Sequence, residues 1–136
     1  MTASEFEFSA DQLAALLDEA NHAPWESVRA ALGGVEGQPH PRIGWLTAHL
    51  AVTKREYWGL IAAATGAPTP PDGYGLTRLM AWEVEAARAL DAGALARSVT
   101  HAGERLDVAG LLRLNARHTI WHAGQIAALA GRPRTA

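Results

Sequence analysis

Two stretches of this sequence, Ile43 to about Ala64 and Leu111 to Leu129, repeat their apolar side chains at helical spacing over several turns, and no stretch sustains the alternation of a half-buried strand. The first carries Leu46, Leu50, Tyr57, Leu60 and Ile61, so one stripe of a long helix is apolar. The second carries Leu111, Leu114, Ile126 and Leu129, with His118 and His122 between them on the same stripe. Such helices must bury their stripes against other helices, which makes the chain all-α.

Local signals place the remaining elements. Ser9 stands three residues before Gln12 and opens a short helix through Leu13, Leu16, Leu17 and Ala20 with a capping box; Pro24 ends or bends it. A turn of helix from Trp25 to Leu32 stops at Gly33 and Gly34, and VEGQPHP reads as loop up to a helix start near Pro41. Gly66 ends the long helix, and APTPPDGYG is the longest connection. Leu76, Leu79, Trp82 or Glu83, Ala86 and Leu90 mark a third helix, closed by Asp91 to Gly93. SVTHAGERL follows as loop, with room for a short extended piece. Asp107 caps the last helix, which stops at Gly131 before Pro133. Four main helices with connections of this length allow a non-sequential, crossover four-helix bundle in a single domain, 1-136.

Composition narrows the chemistry. A chain of 136 residues buries roughly 65 to 70% of its unfolded surface, so it folds without staples. With no cysteine there is no disulfide, thiolate metal site or cysteine nucleophile, and any metal must be held by histidine or carboxylate. Twelve basic residues against 14 acidic ones give a net charge of −2, and no Lys/Arg run exceeds Lys54, Arg55, which argues against non-specific nucleic-acid binding. No apolar run reaches the roughly 18 to 20 residues of a membrane span, and MTASEFEF lacks the basic and apolar regions of a signal peptide. The expectation is a cytoplasmic protein with neither nucleic-acid nor membrane partners.

The six histidines carry the functional signal. His118 and His122 lie one turn apart on one helix face, with Cβ atoms roughly 5 to 6 Å apart, a spacing that suits one metal ion. His49 sits between Leu46 and Leu50 in the long helix. A single histidine on an apolar face is ordinarily a hydrogen-bonded core residue, a reading that stays open for His49 alone, and the pair admits either reading. Three rings in one small core are harder to satisfy, since each neutral imidazole has a donor and an acceptor, and one ion takes three acceptor nitrogens together. Three His ligands leave an open position for water or an anionic substrate, and the ligand set does not choose among Zn, Ni, Fe and Mn. Asn115 and Gln125, one turn either side of the pair, are candidates to hold the ring N–H groups. Trp45 and Trp121 neighbour the histidines and are candidates to line a pocket; Trp25, Trp58 and Trp82 read as core or interface. Glu56, seven residues after His49, is a candidate base, although Lys54 and Tyr57 compete for its direction. His22 and His40 read as surface residues, and the loop holding His101 leads into the last helix and has the reach to fold over the site.

The segment GWLTAHLAVTKREYW, followed by LLRLNARHTIWHAGQIAALAG, resembles the DinB/YfiT-like family of metalloenzymes. The ending H-x-x-x-H-x-G-Q-I, from His118 to Ile126, is its most specific part, and the likeness extends over nearly the whole chain, weakest in the Pro-rich connection and third helix. The resemblance implies a four-helix bundle in which His49, His118 and His122 hold one divalent ion, and a homodimer. Some branches of that family transfer low-molecular-weight thiols. An open metal position suits that chemistry, because it can bind and deprotonate a thiol; water there would instead serve a hydrolase. No acidic residue lies on the His118 stripe, which tilts the expectation toward a thiol substrate. A non-catalytic, metal-stabilised binding module is the third possibility.

Overall fold

A computed structural model describes residues 8–35 and 40–131, so most of the expected VEGQPHP loop lies outside the described residues. It is mostly helical: α1 Ala10–His22, α2 Val28–Gly33, α3 Pro41–Thr65, α4 Leu76–Arg88, α5 Ala92–Leu95 and α6 Val108–Ala130, with strands β1 Ser98–His101 and β2 Glu104–Asp107 before α6. The end signals act as expected. Ser9 accepts from the Gln12 amide while Gln12 reaches back to the Ser9 amide, the reciprocal pair that satisfies two orphan donors of α1. Gly66 closes α3 at φ 79°, a left-handed conformation that a side chain would resist, and Asp107 accepts from the Gly110 amide to start α6.

Spatial neighbours are not sequence neighbours. Both α1 and α3 pack mainly on α4 and α6, while α2 lies across α6 and α1. Ile43 and Leu46 near the start of α3 cluster with Ala123 and Ile126 near the end of α6, while Trp58 and Ile61 cluster with Leu111 and Leu112 near its start, so these two helices are antiparallel.

The core is in two parts. One gathers Leu13, Leu17, Trp58, Ile61, Val84, Leu111 and Leu112; the other gathers Val28, Ile43, Leu46, Leu50, Met80, Ala123 and Ile126. Each large side chain removed from water in this way contributes about 1.5–3 kcal/mol. Between the two parts lie buried Asn21, Lys54, Glu83, Asn115 and Thr119, and the histidines stand at the same level.

Four expectations need correction. The buried row of α6 is Leu111, Leu112, Asn115, Ala116, Thr119, Ala123 and Ile126; Leu114, His118, His122 and Leu129 are half-buried on its flank, because a stripe read at 3.6-residue spacing fixes helix rotation only coarsely. The third helix ends at Arg88, and Asp91 caps a further turn, α5, by accepting from the Ala94 amide. SVTHAGERL is a hairpin with Ser98 opposite Asp107 and His101 opposite Glu104. Its strands are too short to show alternation, and its turn places Ala102 at φ 53° and Gly103 at φ 81°. Finally, α2 starts only at Val28, capped by Ser27, so Trp25 precedes it and is 79% exposed.

Candidate metal centre

His49 projects from α3, and His118 and His122 from successive turns of α6, onto one point. Nε2 of His118 lies 3.3 Å from Nε2 of His49 and 3.0 Å from Nε2 of His122, and one ring nitrogen from each of the three lies within 4.8 Å of the others. Zinc–nitrogen bonds of about 2.0–2.1 Å at tetrahedral angles put ligand nitrogens about 3.3 Å apart, so the spacing is that of ligands around a common ion.

Proton bookkeeping points the same way. Nδ1 of His122 lies 2.6 Å from Oε1 of Gln125. An amide oxygen only accepts, so the His122 proton sits on Nδ1 and its Nε2 is a lone pair facing the other rings. Nδ1 of His118 is buried and has no hydrogen-bond partner among the described residues, and the Nε2 of that ring faces two nitrogens at once. One ring proton on the Nε2 side of His118 can serve only one of the two nitrogens it faces, whereas a cation among the three Nε2 atoms takes all three lone pairs together. The donor set therefore fits one divalent ion.

The electrostatics favour the neutral form of His49 and His118, the form that a metal ligand requires. Burial pushes the His118 pKa down to about 4, and His122, His49, Lys54 and His101 add to the effect. Burial and His122 also lower His49, with Glu56 opposing and Arg42 adding to the decrease.

Around the rings, the Trp45 indole stacks on His49 with centroids 4.9 Å apart and planes 8° apart; it is 51% exposed, and the Arg42 guanidinium lies 4.5 Å above it. On the other side Tyr57 stands edge-on to His118 at 6.1 Å and to His101 at 5.2 Å, so the hairpin does bring His101 to the edge of the site. Burial and the Glu56 carboxylate push the Tyr57 phenol up. His22 pairs with Asp18 at 2.8 Å, and His40 caps α3 by accepting from the Arg42 amide, both apart from the cluster.

Three of the surrounding candidates stand elsewhere than expected. Asn115 makes no bond to a histidine: its side chain accepts from Lys54 at 2.9 Å and donates to Glu83 at 2.8 Å, because it lies on the buried row of α6 rather than on the flank. Trp121 is 71% exposed and lines a groove of about 580 Å³ between α1 and α6 with Leu16, Trp25 and Ile120. Glu56 is exposed and hydrogen-bonds none of the three rings, acting on His49 only through its charge.

What the sequence reading did not find is the polar layer beneath the rings. Lys54 Nζ donates to Glu83 Oε2, to Asn115 Oδ1 and to Thr119 Oγ1, the last two at 2.9 Å. Glu83 also accepts from Trp58 Nε1 at 3.0 Å, from Asn115 Nδ2 and from Asn21 Nδ2 at 2.7 Å. Burial holds the Lys54 pKa below the ordinary lysine value, and the adjoining Glu83 carboxylate offsets only part of that decrease. The available signal was positional: the one lysine of the chain lies one helical turn after Leu50, and Glu83 alternated with Trp82 on the third-helix stripe.

Comparison of the chain with protein-family models, curated proteins and solved structures finds no match. Among the described residues no helix is long and apolar enough to cross a membrane.

Proposed function

We propose that this protein is a DinB/YfiT-like four-helix bundle that holds one divalent ion (Zn, Ni, Fe or Mn) on His49, His118 and His122 and transfers a low-molecular-weight thiol to an electrophile. The observation that carries the reading is the convergence of three Nε2 atoms, those of His49 and His122 lying 3.3 and 3.0 Å from that of His118. When bound, the ion supplies a Lewis acid that lowers the pKa of a thiol at the open position. The chain's own part is to favour the neutral form of His49 and His118, to fix the His122 tautomer through Gln125 and to offer the exposed face of Trp45 as an apolar shoulder for a substrate. The thiol must come from outside, since the chain has no cysteine. Among the described residues no carboxylate hydrogen-bonds a ring of the cluster.

The test is turnover of a generic electrophile with a panel of cellular thiols by metal-loaded protein. Metal-dependent turnover that His122→Ala abolishes supports the proposal; an equal rate in His122→Ala contradicts it. Hydrolysis is the second reading, favoured by the Glu56 charge that reaches His49 and Tyr57. It requires ester or amide cleavage with no thiol present. A non-catalytic module is the third, favoured by the exposed Trp25 and Trp121. In that case chelation shifts the melting temperature while no substrate turns over. The homodimer is proposed on the resemblance alone, and sedimentation equilibrium decides it.

A further inference from the structure

The rings of the cluster come from two helices, and something must hold those helices at one relative height. Apolar packing of Leu46 and Leu50 against α6 does this weakly, because hydrophobic contact has no preferred direction. Two directional contacts join α3 to α6 among the described residues: the His49–His118 approach itself, and the bonds from Lys54 to Asn115 and Thr119. Lys54 follows His49 by five residues, while Asn115 and Thr119 flank His118 on the facing helix. The lysine cannot adapt to a shift. Its three donors are all used, and Glu83 holds it from α4 while itself accepting four bonds. Thr119 Oγ1 also donates to the Asn115 carbonyl at 2.8 Å, tying the network to the α6 backbone at the turn that carries His118.

We infer that Lys54, locked by Glu83, is the positioning residue that sets the register of α3 on α6 and thereby brings His49 to His118 and His122. A slide of one residue, about 1.5 Å along the helix, would carry Lys54 away from the position it shares between Asn115 and Thr119, one turn apart on α6, and would displace His49 from the other two rings by the same amount. A buried ion pair of this kind is a weak source of stability and a better one of registry, because apolar residues could fill its volume without fixing a height. The inference deepens the proposed metal reading but concerns ring geometry, which exists without metal.

The test compares the parent with Lys54→Met/Glu83→Gln, which removes both charges, by measuring nuclear Overhauser effects between the His49 and His118 ring protons in metal-free protein. Cobalt(II) titration of both proteins is the second readout. The parent should show the ring-to-ring effects. In the double variant they should vanish while the contact between Trp58 and Trp82 persists, and cobalt affinity should fall by about 10- to 100-fold, the range seen when residues that orient metal ligands are lost. Ring-to-ring effects undiminished in the double variant overturn the inference. If the double variant does not fold, Thr119→Val, which keeps the ion pair and removes one bond to α6, carries the same test, and unchanged effects there also overturn it. Ring contacts present in a parent that takes up no cobalt would refute the metal reading instead, and the effects alone would then decide the register.

Discussion

Glu83→Gln is the sharpest perturbation of the polar layer, since it keeps the shape of the side chain and removes only its charge. Glu83 is 0% exposed and accepts from Lys54, Asn21, Trp58 and Asn115, so both of its oxygens face donors. Glutamine replaces one oxygen with an NH₂ group that points at donors, and Lys54, also 0% exposed, is left as an unpaired buried cation. Breaking a buried pair in this way costs about 3–5 kcal/mol, against a total stability of about 5–15 kcal/mol for a domain. At about 3 °C per kcal/mol for this chain length, the melting temperature should fall by about 10–15 °C in calorimetry. A second signature follows from linkage. Without Glu83 the factor that raised the Lys54 pKa is gone and burial lowers it further, so above the folded-state pKa the unfolded chain binds more protons than the native one. Both proteins should therefore gain stability as pH rises toward the ordinary lysine range, the variant from a lower pH and by more than the parent. A melting temperature within about 3 °C of the parent, with no larger recovery at alkaline pH than the parent shows, would refute the account of the layer as a buried, charged network.

Two further outcomes are expected. His118 has a folded pKa of about 4 against 6.5 in the unfolded chain, so between those values the unfolded state binds the extra proton; stability of the metal-free protein should fall as pH drops from 6.5 to 4, and His118→Ala should flatten that slope in pH-dependent melting curves. Ala102, at φ 53° in the hairpin turn, occupies a conformation that costs a non-glycine residue about 1–2 kcal/mol, so Ala102→Gly should raise stability by about 0.5–1 kcal/mol after the added unfolded-state entropy, and an unchanged or lower melting temperature would count against the turn geometry.

How far the sequence reached depends on what each residue signals locally. The capping box at Ser9, the stop at Gly66 and the cap at Asp107 involve partners within four residues, and each ends or opens a helix where expected. The three histidines that converge are legible because histidines at helical spacing on an apolar stripe are uncommon, and Gln125 because it lies one turn beyond His122. Asn115, one turn the other way, was equally eligible. Its true partners, Lys54 and Glu83, lie 61 and 32 residues away, and no local rule brings them together. Charged residues in helices ordinarily face water, so the Lys54–Glu83 pair emerges only when α3, α4 and α6 are assembled. The hairpin was missed for a different reason. Four-residue strands around an Ala-Gly turn carry neither alternation nor the Asn-Gly signature of such turns.

The central claim is that His49, His118 and His122 together hold one divalent ion, and metal content tests it most directly. Elemental analysis of chelator-stripped protein reloaded with divalent metal should give close to one equivalent per chain, and a variant with all three histidines replaced by alanine should give essentially none. Less than roughly 0.2 equivalents in the parent, or the same content in parent and triple variant, would contradict a three-histidine site of the open kind argued for here.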